Sequence, residues 1–138
     1  MIYLPDTKAF SAYYLAGRSP PLTERMRLAC AAGELRLSVV VLAELTFGAE
    51  KIRTKLGDTK FTRRVEALRK QLEVEPLGER FAEHYAAVRL HLESAGQKIG
   101  DRDTIIAAHA LSIGAVMVTR NLGEFERVPG LKVENWEA

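Results

Sequence analysis

Five apolar runs of three to six residues, interleaved with longer stretches of helical spacing, constrain this chain more than any other feature. Runs that short suit strands, and strands alternating with helices point to an α/β fold around a parallel sheet. The runs are Ile2–Leu4, which stops at Pro5, then Leu35–Val40, Val74–Leu77, Ala115–Val118 and Leu131–Val133. Helices are expected from Thr7 to about Leu15, over Leu22–Ala32, from Val41 through Lys51, from a cap at Thr59 or Thr62 to Leu72, over Glu79–Glu93 and over Ile105–Ile113. Arg18-Ser19-Pro20-Pro21 breaks the first pair, Gly33 stops the second, and Gly57-Asp58 reads as a turn. In Glu79–Glu93, Phe81, Tyr85, Val88 and Leu92 recur at helical spacing and are expected to face the core. Ile105–Ile113 is apolar nearly all round and is expected in the interior. His109 within it reads as a packed, hydrogen-bonded core histidine. Trp136 is expected to pack near the sheet edge.

A chain of 138 residues without repeats, linkers or low-complexity segments reads as one domain with a core of its own. The single cysteine, Cys30, excludes an internal disulfide and a cysteine metal cluster, and it reads as a small buried hydrophobe. Met1–Leu4 is too short for the apolar part of a signal peptide, and no apolar run approaches membrane-spanning length. A cytoplasmic protein without membrane contact is therefore expected.

The net charge of +2 is unevenly placed. Lys51–Lys70 holds eight basic residues and two acids, a local +6, which leaves −4 for the remainder. A basic stripe beside an acidic body suits a phosphate backbone or an acidic partner, and equally a solvated helix face.

In open α/β sheets ligands bind beyond the carboxyl ends of the strands. Asp6 follows the first apolar run and Asn121 the fourth; Glu44 lies about a helical turn after Ser38-Val39-Val40, and Asp103 opens the buried helix. Taken singly, each has an ordinary explanation: Asp6, Asp101 or Asp103 as a helix cap, Glu44 as a solvated side chain, Asn121 as a turn residue. Together they are harder to set aside. Glu44 sits within Val39-Val40-Val41-Leu42-Ala43-Glu44-Leu45, where an isolated carboxylate is costly to bury. Carboxylates forced together call for a divalent cation, and oxygen ligands favour Mg²⁺ or Mn²⁺, ions that promote phosphodiester hydrolysis.

Ile2-Tyr3-Leu4-Pro5-Asp6-Thr7 and Ser38–Gly48 closely resemble the first two motifs of PIN-domain toxins of the VapC and FitB type. Ile99–Ala110 resembles the third, Val118-Thr119-Arg120-Asn121 through Phe125 the fourth, and Val128–Trp136 the closing segment. The resemblance runs in order from residue 2 to residue 136. It implies a three-layer α/β/α fold with a short, mostly parallel sheet, an acidic Mg²⁺ or Mn²⁺ site, and endoribonuclease activity as the toxin of a toxin–antitoxin pair. It further implies an RNA substrate, a cognate antitoxin that covers or enters the site, and a homodimer or larger assembly. Position by position, Asp6, Glu44 and Asp103 match the metal-holding acids. Asn121 stands at the fourth acidic position, and Thr7 and Thr119 match polar helpers. Lys8, Arg120, Lys51, Arg53 and Lys55 are the candidate RNA contacts.

Three positions depart from the family pattern, the first being Pro5, which stands where the family prefers an apolar residue and reads as the end of the strand. Lys8 stands where the family often has Asn, and Asn121 is a neutral ligand in place of an acid. Glu124 and Asp101 are alternative fourth acids that read first as surface or capping residues. The departures leave one alternative of another class, a PIN-fold module that binds RNA or an antitoxin without cutting. A haloacid-dehalogenase-like phosphatase would need a second Asp where Lys8 stands, and nothing fits a receiver domain.

Overall fold

A computed structural model describes residues 1–14 and 19–137. Strand β1 (Tyr3–Pro5) runs into helix α1 (Thr7–Tyr14), and Asp6 caps the junction. Its Oδ1 accepts from the Ala9 amide at 2.8 Å and its carbonyl from Phe10 at 3.3 Å. The expected reach of this helix to Leu15, and the Arg18 part of the break, lie outside the described residues. Helix α2 (Pro20–Ala31) starts two residues earlier than expected. Pro20 and Pro21 occupy its first turn, where amides have no partner inside the helix and proline loses nothing.

Strand β2 (Arg36–Ser38) is shorter than expected, because Val39 and Val40 belong to helix α3 (Val39–Leu56). The cause is Ser38, whose Oγ accepts from the Val40 amide at 3.2 Å and starts the helix against the strand preference of two valines. Helix α3 also runs past Lys51 to Leu56 and ends at Gly57, which takes the left-handed φ of 67° that a side chain would disfavour. Helix α4 (Lys60–Gln71) is opened by Asp58, whose Oδ1 accepts from the Lys60 amide at 2.9 Å. Thr59 makes no capping bond, and Thr62 lies inside the helix. Strand β3 (Glu73–Glu75) precedes the expected Val74–Leu77 by a residue or two, and its glutamates meet Arg36 of β2 at 3.2 and 3.6 Å.

Helix α5 (Arg80–Ser94) buries Val88 and Leu92 as expected. Phe81 and Tyr85 are only half-buried; their rings rest on each other, 5.6 Å apart, rather than entering the core. Helix α6 (Asp101–Ser112) is the interior helix, with Ala107, Ala108, His109 and Ala110 fully enclosed. Strand β4 (Val116–Val118), a one-turn helix α7 (Leu122–Phe125) that the sequence pattern did not indicate, and strand β5 (Val133–Glu134) complete the fold. Trp136 is buried with its ring 5.0 Å from Tyr3. Cys30 is half-buried against the core.

All strand pairs are parallel. β4 lies between β1 and β5, β2 pairs with β3, and a parallel bridge between Tyr3 and Leu35 joins the two groups. The order across the sheet is therefore β3-β2-β1-β4-β5. Successive strands are added on one side of β1 and then on the other, and right-handed crossovers distribute the helices over both faces. Among the described residues no helix is long and apolar enough to cross a membrane.

His109 joins three of these elements. Its Nε2 lies 3.0 Å from the Pro76 carbonyl, which can only accept, so this nitrogen carries the proton. Its Nδ1 then accepts from the Ser38 hydroxyl at 2.8 Å, and Ser38 in turn accepts from Val40. Each polar group in the chain is satisfied by the neutral imidazole, and burial holds the pKa of His109 below the usual histidine value. The histidine is structural, as expected; it locks α6 to the start of α3.

Candidate active site

The strand order reverses between β1 and β4, and the crevice beyond their carboxyl ends is the natural ligand site of such a sheet. Asp6 and Thr119 leave those two ends, and the Asp6 amide donates to the Val118 carbonyl at 3.0 Å. A cleft of about 530 Å³ opens there, lined among others by Asp6, Thr7, Lys8, Glu44, Arg102, Asp103 and Asn121.

Asp6 is buried, with one oxygen spent on the Ala9 amide. Burial pushes its carboxyl above the usual range, and the Thr119 hydroxyl, the Ala9 amide and the Lys8 charge pull partly back. Glu44, in the second turn of α3, reaches the same cleft. Its Oε2 lies 3.2 Å from the Arg102 guanidinium, while its Oε1 is buried without a hydrogen-bond partner. Thr7 Oγ1 is likewise buried and unpartnered. Asp103, in the first turn of α6, is pushed up to about 6, first by burial and then by the neighbouring charges of Glu124, Asp6 and Glu44.

Four carboxylates thus share one electrostatic environment, and the fourth is Glu124. Asn121, at the position expected to complete the acidic set, lines the cleft and donates from Nδ2 to Glu124 Oε2 at 2.6 Å. Its amide donates to Thr119 Oγ1 at 3.0 Å. Asn121 therefore positions an acid. The signal for Glu124 in the sequence was its place one helical turn after Asn121, in a helix too short to show periodicity. Lys8 is exposed at the cleft wall, and Arg120 is exposed outside its lining. Lys51, Arg53 and Lys55 lie on the exposed C-terminal half of α3, away from the cleft, where Lys51 sits 5.5 Å over the Phe47 ring and Arg53 pairs with Glu50.

The PIN-domain pattern matches residues 3–131. The chain belongs to the PIN-domain family. Within it, this PIN domain is 31% identical to ribonuclease VapC2 of Rickettsia felis over 137 residues, 99% of each chain. It is 40% identical over 100 residues to the tRNA(fMet)-specific endonuclease VapC of Salmonella typhimurium, covering 72% of this chain and 74% of that one. Its fold superposes on VapBC2 of Rickettsia felis, solved with a DNA fragment from the promoter, with a TM-score of 0.86, 29% identity and 99% of both chains covered.

A divalent ion fits the chemistry of this cleft. The donors are hard oxygens, one Glu44 oxygen has no partner, and burial together with the neighbouring acids raises the Asp103 carboxyl to about 6, a penalty a bound cation would relieve. As the side chains stand, no three His, Cys, Asp or Glu among the described residues are grouped to hold an ion. Glu44 is drawn towards Arg102 and Asp6 towards Ala9. A bound ion would require Glu44 to turn from Arg102.

Proposed function

We propose that this PIN domain is a metal-dependent endoribonuclease, the toxin of a toxin–antitoxin pair. The observation that carries the reading is the convergence of Asp6, Glu44 and Asp103, from three separate segments, on the cleft where the strand order reverses, with Glu124 beside Asp103. The names of its VapC relatives support an RNA substrate, and the toxin–antitoxin complexes among similar structures support an antitoxin partner. Self-association as a homodimer is part of the same reading.

Asp6, Glu44 and Asp103 would hold Mg²⁺ or Mn²⁺, which supplies an activated water and charge neutralisation for phosphodiester hydrolysis. The chain's own residues prepare the site. The Ala9 amide and the Thr119 hydroxyl fix the Asp6 carboxylate, and the Thr7 hydroxyl stands free in the wall. Asn121 holds Glu124 beside Asp103, where its charge adds to burial in raising that carboxyl while the cleft carries no metal. Lys8 offers a cation to the RNA backbone at the cleft edge.

The test is cleavage of a mixed RNA pool by purified, antitoxin-free protein in Mn²⁺, Mg²⁺ or EDTA, beside Asp6→Ala. Cleavage that needs metal and is lost in the variant is expected. No cleavage in any metal by folded protein would leave the binding-only module as the better reading.

A further inference from the structure

Among the described residues of the cleft wall, Arg102 is the one whose cation pairs with a site carboxylate. It projects from the first turn of α6, between Asp101 and Asp103, and its side chain is 73% exposed. Its guanidinium nevertheless reaches 58 residues back along the chain to Glu44 Oε2, at 3.2 Å. Glu44 is only 20% exposed, and its second oxygen has no partner. A single-point ion pair with one exposed arm is weak, because water and salt compete for the arginine. Holding Glu44 therefore costs little to undo. A divalent ion in the cleft needs the same carboxylate, and a second positive charge beside it is repelled.

We propose that Arg102 is a displaceable cation: it neutralises Glu44 while the cleft is empty, yields Glu44 to the metal, and then contacts a phosphate of the RNA strand. This rests on the metal-dependent nuclease reading above and adds to the Lys8 contact a cation that also pairs with a site carboxylate, which neither Lys8 nor the α3 basic residues do among the described ion pairs. The planar guanidinium suits a phosphate, and its exposure at the cleft mouth leaves it free to turn outward once released.

The experiment uses two ligands and the intact protein. Mn²⁺ binding is measured by calorimetry for the wild type, Arg102→Ala and Arg102→Lys. Binding of a non-cleavable 2′-O-methyl RNA is then measured at saturating Mn²⁺ over a range of salt. Arg102→Ala should bind Mn²⁺ about two- to fivefold more tightly, the range set by removal of an exposed ion pair. It should bind RNA more weakly, with a salt dependence shallower by about one phosphate contact. Arg102→Lys should keep most of the RNA affinity. Unchanged or weaker Mn²⁺ binding in Arg102→Ala overturns the displacement, and unchanged RNA affinity and salt slope overturn the phosphate contact. If the wild type itself takes up no Mn²⁺, the nuclease reading falls first, which separates the two failures.

Discussion

Replacing Asp103 with asparagine should stabilise the metal-free protein while removing its nuclease activity. Burial and three neighbouring acids raise the Asp103 carboxyl from 3.8 to about 6. A shift of that size, at about 1.4 kcal/mol per pH unit, sets a ceiling near 3 kcal/mol on the cost of its charge. Asp103 is only half-buried, and solvent screening reduces this to about 1 kcal/mol. In a domain of this size that amounts to a melting point higher by about 3–4 °C. The sign follows from linkage. Between the unfolded and folded values the native state binds more protons than the unfolded chain, so wild-type stability falls as pH rises through that window. The advantage of Asp103→Asn should be full above about pH 7, roughly halved at pH 5, and gone near pH 3. Thermal melts in EDTA at several pH values measure it. Saturating Mn²⁺ should reverse the order, because the ion stabilises the wild type and finds fewer ligands in the variant. A variant that melts at or below the wild type throughout, in EDTA, would refute the idea of a cleft strained by its own acids.

Other consequences are as direct. His109→Ala should cost about 2–4 kcal/mol in urea unfolding, since it opens a cavity and strands the Ser38 hydroxyl and the Pro76 carbonyl. Because burial lowers the His109 pKa, its contribution is present above the unfolded value near 6.5 and is lost as pH falls; His109→Gln should flatten that part of the acid limb of a stability profile. Gly57→Ala should destabilise by about 1 kcal/mol in thermal melts without touching the cleft, because φ there is 67°. Glu124→Gln should lower the pH at which Asp103 ionises, read from the pH dependence of metal-free melts, since Glu124 is its largest charged perturber.

The parts of this fold legible in the sequence were those governed by local chemistry. β1 and β4 are short apolar runs buried between neighbours, and Asp6 announces itself by following one of them. His109 was readable as core because its own helix is apolar on every side. Val39 and Val40 misled because β-branched residues suggest a strand, and a single serine hydroxyl reversed that preference. β3 was displaced because its pairing with β2 begins at Glu73, a charged residue that an apolar-run reading leaves out. In the site, Asp6, Glu44 and Asp103 were legible only as a set and Glu124 only as an alternative fourth acid, whereas the tie of Glu124 to Asn121 depended on a one-turn helix and that of Arg102 to Glu44 on a contact between distant segments. Both are tertiary facts. The basic stripe shows the converse: charge density along the chain located a helix surface, but Lys51, Arg53 and Lys55 do not line the cleft.

The central place of β4 also dictates when this molecule can become active. β1 is paired on only one side until residues 116–118 have been synthesised, because its other neighbour comes from late in the chain. Long-range parallel pairing of this kind is slow to form. A nascent chain stopped before β4 already carries Asp6, Glu44 and Asp103, yet lacks the strand that brings the first of them against Thr119. The synthesis of this protein thus has a built-in delay, during which Asp6, Glu44 and Asp103 exist while Thr119, Asn121, Glu124 and the cleft itself do not.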